Sequence, residues 1–281
     1  MRSGSGDRSG NETQYGSKKR LQTRVEVHQR YSLSPYAFTA WALDQAGLSG
    51  TERALDAGCG SGAWLFPLAE RLSAHGGTVI GLDLSEGMLA DIREEADRYP
   101  HVRLQAGDVQ DLPYEDGTFD FVMANFMLYH VPDIDRALRE LKRVLKPAGR
   151  LMAATNSEYS MRPLWDAHLA CQRRAGIPEA IVAQSVPEFR FSLENGHGFL
   201  RPHFPWFETR LLHDALAFAE PEPLLDYYAS GFMKYGDTGH EVCEEQWLRV
   251  YELMREHAET AINRDGRYVI PKTAGFFLAQ K

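Results

Sequence analysis

Apolar positions along the chain follow two alternating rhythms. Short apolar runs near residues 53–57, 78–83, 102–107, 119–124 and 150–155 are separated by stretches with helical spacing. That alternation predicts a parallel sheet with helices on both faces. The clearest helix covers 133–146. Ile134, Leu138, Leu141 and Leu145 recur at helical intervals, Pro132 and Asp133 start it, and Pro147 with Gly149 stops it. Its charged face (Arg136, Arg139, Glu140, Lys142, Arg143) reads as solvent-facing. Further helices are predicted over 63–72 and over 21–48, the latter broken at Pro35. Residues 207–212 and 269–279 read as two more strands, with a helix over 221–232 between them.

Between the first strand and the 63–72 helix lies Asp56-Ala57-Gly58-Cys59-Gly60-Ser61-Gly62. A glycine turn between strand and helix lets backbone N–H groups approach a ligand that a Cβ would repel. The helix end behind it favours negative ligand groups. Two cofactor readings compete. Gly58, Gly60 and Ala63 satisfy the loose dinucleotide fingerprint, and Asp83 stands where an acidic ribose partner is expected. Asp56, two places before the first glycine, would repel a pyrophosphate but suit an ammonium. Asp108 adds a third acidic strand end, and three at successive strand ends exceed what turn capping alone explains. These details favour S-adenosylmethionine.

The stretches Leu55 to Gly62, Gly81-Leu82-Asp83-Leu84-Ser85 with Met88-Leu89, Gly107 to Tyr114, Phe119 to Val122, and Ala137 to Arg150 resemble, in order and spacing, the class I S-adenosylmethionine-dependent methyltransferases. The likeness is to their small-molecule (methyltransferase type 11-like) branch and covers roughly residues 50–156. It implies an α/β, Rossmann-like fold: a seven-stranded, mostly parallel sheet with helices on both faces, an antiparallel last strand and a helical cap insertion. It also implies roles. The backbone from Asp56 through Gly58, Cys59 and Gly60 holds the methionyl moiety, and the backbone near Asn125 faces its amine. Asp83 accepts from the ribose hydroxyls and Leu84 flanks the adenine. Asp108 accepts from the adenine amino group, with Val109 against the ring. A helix near the start closes over the methionine end, where Arg30 or Tyr31 meets the carboxylate or the substrate.

Composition narrows the function further. Over 281 residues, 31 basic against 39 acidic side chains leave a formal charge of −8, which argues against a nucleic-acid substrate. The three cysteines, with no C-x-x-C spacing, suggest neither a disulfide framework nor a metal site and fit a reducing cytoplasm. No apolar run reaches the ~20 residues of a membrane span, and no signal peptide is read. Residues 1–20 carry almost nothing that can be buried and are expected to form a mobile tail. The methyltransferase domain is assigned to 21–157 and 203–281, with N-terminal lid helices. A helical substrate cap is assigned to 158–202, where Tyr159, Trp165, His168 and Phe191 are candidate pocket residues.

The expected activity is in-line transfer of a methyl group to a small-molecule acceptor, an aromatic or isoprenoid-like secondary metabolite. His130, after the fourth strand, is the candidate general base. An NAD(P)-dependent oxidoreductase, and carbon methylation of an alkene within the same family, stay as alternatives. A homo-oligomer is compatible with the sequence.

Overall fold

The computed structural model describes residues 18–232 and 242–281. Of the stretch expected as a mobile tail, residues 1–17 lie outside the described residues, and Lys18 to Arg20 already belong to the first helix, α1 (Lys18–Tyr31). α2 (Phe38–Asp44) follows, and then strands and helices alternate: β1 (Arg53–Ala57), α3 (Leu65–Ser73), β2 (Thr78–Asp83), α4 (Glu86–Ala96), β3 (Val102–Ala106) and β4 (Phe119–Met123). A single 3-10 turn, Leu128–His130, leads to α5 (Ile134–Val144) and β5 (Leu145–Asn156). The remaining elements are α6 (Arg162–Arg174), α7 (Glu179–Gln184), α8 (Gly196–Leu200), β6 (Trp206–Phe218), α9 (Pro221–Gly231), α10 (Glu244–Asp265) and β7 (Tyr268–Gln280).

The strands form one seven-stranded sheet in the order β3-β2-β1-β4-β5-β7-β6. β1 to β5 pair in parallel, and β7 runs antiparallel to β5, with Leu151 opposite Ala279 and Asn156 opposite Ala274. The strand order reverses between β1 and β4. In such sheets the crevice beyond the carboxyl ends at the reversal is the ligand position. The fold class read from the sequence is therefore the observed one.

The chain divides into two compact units. Unit 2 comprises Tyr36–Glu158, Phe189–Leu212 and Thr273–Lys281, and unit 1 comprises the chain up to Pro35, Tyr159–Glu188 and His213–Lys272. The 158–202 segment thus divides, its part up to Glu188 falling in unit 1 and its part from Phe189 in unit 2.

In unit 2, α5 illustrates how pattern becomes packing. Ile134, Ala137, Leu138, Leu141 and Val144 are its buried stripe, and the Asp133 carboxylate caps it by accepting from Arg136 N at 2.9 Å. The helix stops at Val144 because Leu145 is already extended. Leu145 and Lys146, expected in the helix, are instead the start of β5. Lys281 Nζ donates to the carbonyls of Arg143 and Leu145, supplying partners that the helix end lacks.

In unit 1, α6, α7, α9 and α10 build a separate apolar cluster around Leu164, Val182, Leu224, Tyr228, Trp247 and Met254. The helix α10 was not read from sequence, although Trp247, Val250, Leu253, Met254 and Ala258 form its buried stripe. Gly266, at φ +76°, ends it in the left-handed conformation that glycine adopts without penalty. Among the described residues, no helix is long and apolar enough to cross a membrane.

Gly81 of β2 lies beneath the glycine-rich turn. A Cβ there would stand 2.7 Å from Leu65 Cδ2 and 3.1 Å from Cys59 Sγ. Gly81→Ala is expected to destabilise the chain by about 1–3 kcal/mol through overpacking. Urea unfolding checks this, and an unchanged midpoint would contradict it.

Candidate cofactor site

The turn after β1 is held against the end of β2. Gly58 N and Cys59 N both donate to the Leu82 carbonyl, at 2.7 and 3.0 Å, and Gly60 N donates to Asp83 Oδ2 at 2.9 Å. The other Asp83 oxygen accepts from Ser85 N at 2.9 Å, so one carboxylate bridges the turn and the start of α4. Gly58, Gly60 and Gly62 have φ of +79°, +52° and +78°. Two of the three are crowded: a Cβ on Gly58 would meet Met127 at 2.9 Å, and one on Gly62 would meet the Phe66 ring at 2.2 Å. Gly60 faces open space except for Met88 Cε at 3.8 Å. It is the glycine past which a ligand can approach the backbone.

Asp56 ends up almost completely buried, at 2 % exposure. Burial, and next the charge of Asp83, push its carboxyl up to about 8, so it holds a proton at neutral pH. Its Oδ2 has no hydrogen-bond partner among the described residues. On the neighbouring strand, Asn125 Oδ1 accepts from Ala154 N at 3.0 Å, which fixes the amide and leaves the buried Nδ2 without a partner. Buried polar groups are rarely left so. A carboxyl oxygen and an amide nitrogen, both orphaned, stand at the ends of the two strands that flank the sheet's reversal.

Asp108 lies in the loop after β3, where its Oδ1 accepts from Gln110 N at 2.9 Å and both oxygens accept from Gln110 Nε2. Gln110 Oε1 in turn accepts from Asp133 N, tying this loop to the start of α5. Val109 is buried, and Leu84 is 67 % exposed beside Asp83. The Cys59 thiol is buried, and burial followed by the charges of Asp56 and Asp83 holds its pKa far above the usual range. It is a protonated filler beneath the turn rather than a nucleophile. His130 closes the 3-10 turn and is lowered below 6.5 by burial and by the charge of Arg190, so it is neutral at pH 7. Phe191 is buried in the core of unit 2, with its ring against Phe199 and Phe277.

Unit 2 therefore gathers Asp56, Gly58, Cys59, Gly60, Asp83, Leu84, Asp108, Val109, Asn125, His130 and Phe191, whereas Tyr31, Tyr159, Trp165 and His168 belong to unit 1. Tyr31 stacks on Phe218 at 4.9 Å, and Tyr159 is 70 % exposed. Trp165 and His168 line a cavity of about 250 Å³ with Ser185, Gly231 and Phe232. Gln172 Nε2 and Tyr228 Oη stand within hydrogen-bond distance of His168 Nε2 and Nδ1, at 3.0 and 2.6 Å. Among the described residues no cluster of three or more His, Cys, Asp or Glu could hold a metal ion.

Sequence reasoning missed Met127, whose side chain packs over Gly58, and Phe126, which takes φ +54° beside Trp64 and Phe38. No motif announced either residue. The signal is positional, since both follow β4 on the ligand side.

Because the folded pKa of Asp56 lies above the unfolded value of 3.8, its contribution to stability is present below that value and is lost as pH rises towards about 8. Asp56→Asn is expected to melt higher than the parent at pH 8, with the difference shrinking towards pH 4. Parallel melting curves at both pH values check this.

Comparison with known proteins agrees with this geometry. Residues 55–153 match the methyltransferase domain family model. The demethylmenaquinone methyltransferase of Staphylococcus haemolyticus is 41 % identical over 109 residues, which cover 39 % of this chain and 45 % of that protein. That of Shouchella clausii is 43 % identical over 116 residues, 41 % of this chain and 47 % of that protein. The matches thus cover about half the length of these curated relatives. The YcgJ protein of Bacillus subtilis shares the fold with a TM-score of 0.55 at 19 % identity, over 86 % of this chain and 97 % of that one. A phosphoethanolamine N-methyltransferase of Haemonchus contortus, whose structure holds S-adenosylhomocysteine, shares it with a TM-score of 0.55 at 18 % identity, over 93 % of this chain and 56 % of that one. These matches do not favour the oxidoreductase alternative. Residues 55–153 thus resemble a methyltransferase domain, on a sheet of the order found here.

Proposed function

We propose that the chain transfers a methyl group from S-adenosylmethionine to a small-molecule acceptor. The observation that carries this reading is the orphaned pair, Asp56 Oδ2 and Asn125 Nδ2, at the ends of the two strands that flank the sheet's reversal, together with the open Gly60. An amino-acid end of a ligand presents an ammonium and a carboxylate. The first suits the buried acid of Asp56, and the second suits the amide N–H of Asn125. Asp83 is the ribose partner, and Asp108 with Val109 and Leu84 the adenine partners. S-adenosylmethionine, when bound, supplies a methyl group already activated for attack by a nucleophilic atom.

The protein's own part is alignment, exclusion of water and, for a protic acceptor, removal of a proton. His130 is assigned the last role, because its neutral imidazole at pH 7 is competent to accept one. Acceptor choice is assigned to Tyr159, Trp165 and His168. The relatives named for demethylmenaquinone support a flat, apolar acceptor with an aromatic or isoprenoid character. A cytoplasmic setting fits the cysteine usage.

Calorimetry with S-adenosylmethionine and with NADP tests the cofactor, and binding of NADP alone would reject the reading. Asp83→Ala is expected to weaken S-adenosylmethionine binding by roughly 1–3 kcal/mol, with circular dichroism to show that the variant is folded. In a methylation assay, kcat/KM is expected to fall on the acid side with an apparent pKa below 6.5, and His130→Ala to remove that limb. An identical profile in the variant would exclude His130 as the base.

A further inference from the structure

Arg24, on α1 within unit 1, has a guanidinium edge without a partner among the described residues. Its Nε and Nη2 are buried and have no hydrogen-bond partner among the described residues. Those two nitrogens form the edge of the guanidinium that grips a planar carboxylate with two parallel hydrogen bonds. Asp214, whose charge acts on the same His28 as that of Arg24, is already committed. Asp214 Oδ1 accepts from Ser34 N at 2.8 Å and Ala215 N at 2.7 Å. Its Oδ2 accepts from Ser32 Oγ at 2.5 Å and pairs with Lys272 Nζ at 2.7 Å. His28, which feels Arg24, Lys272 and Asp214 together, is kept neutral by burial. The Nε–Nη2 edge of Arg24 is thus left for an anion that the described residues do not supply.

A second observation indicates the rest of the ligand. A Cβ on Gly231 would stand 3.8 Å from Arg24 Cδ, so the arginine stem crosses α9 where no side chain obstructs it. Gly231 also lines the cavity of about 250 Å³, whose aromatic wall is Trp165 and Phe232, with centroids 4.3 Å apart. That volume suits a single substituted ring, and ring faces favour a flat occupant. Glu188 also lines the cavity, which disfavours seating an anion there and leaves the anion to Arg24.

We propose that unit 1 binds a small aromatic monocarboxylate, its ring in the cavity walled by Trp165 and Phe232 and its carboxylate on the Nε–Nη2 edge of Arg24. This site lies within unit 1 and does not rest on the methyltransferase reading, and the experiment needs no methyl donor.

The 281-residue chain is titrated calorimetrically with sodium benzoate and, separately, with benzamide, at fixed ionic strength. Benzoate is expected to bind saturably and at least about ten-fold more tightly than its neutral counterpart. Arg24→Lys keeps the charge but not the planar fork, and is expected to weaken benzoate about five-fold or more with benzamide unchanged. Arg24→Gln, checked for an unaltered melting curve, is expected to erase the difference between the two probes. Trp165→Phe is expected to remove the tryptophan fluorescence change that benzoate produces. Inorganic phosphate is expected not to compete, since it has no ring to meet the aromatic wall of the cavity. The proposal is overturned if neither probe binds, if both bind equally, if the Arg24 variants bind benzoate like the parent, or if phosphate displaces it.

Discussion

The glycine turn keeps its shape because β2 holds it there. The Leu82 carbonyl takes the N–H groups of Gly58 and Cys59, and the Asp83 carboxylate takes that of Gly60. Each bond satisfies a donor that the left-handed backbone would otherwise leave unpaired. With the turn clamped, Gly58 closes under Met127, Gly62 closes over Phe66, and Gly60 alone stays open. Asp83 is thus a support of the turn before it is anything to a ligand, and loss of its carboxylate acts on both.

The second unit applies the same physics to a different end. Asp214 gathers two backbone donors, a hydroxyl and an ammonium, which is about as many partners as a carboxylate can accept. Charge saturated in this way fixes its surroundings, while the Nε–Nη2 edge of Arg24 stays without a partner among the described residues. In the same unit, His168 stands between Gln172 and Tyr228, at 3.0 and 2.6 Å from them. The polar interior of unit 1 is therefore a set of completed and uncompleted hydrogen bonds, and the uncompleted ones are informative.

Much of the sheet and part of the site were legible in the sequence, for reasons that particular residues make plain. β1 and β2 match their predicted spans because apolar runs ending in Asp56 and Asp83 admit one reading. The end of α5 was misread because Leu145 fits the helical spacing; only the extended backbone at Leu145 and the capping amine of Lys281 end the helix earlier. α10 escaped notice since its stripe of Trp247, Val250, Leu253 and Met254 is diluted by charged residues on the other face. Gly60 could be singled out from Gly58 and Gly62 only once Met127 and Phe66 were in place. Burial of Asp56, and hence its held proton, depends on strands far apart in sequence. Arg24 carried no sequence signal at all, because an orphaned charge is defined by what surrounds it.

The protonated state of Asp56 has a calorimetric consequence. A cation drawn to that carboxyl at neutral pH displaces a proton into solvent. The heat of such an association then contains the ionisation heat of the buffer, and it differs between a phosphate and a Tris solution of equal pH. The site would thereby report its own desolvation: the number of protons released per ligand measures how far burial had suppressed the charge of Asp56 before the ligand arrived.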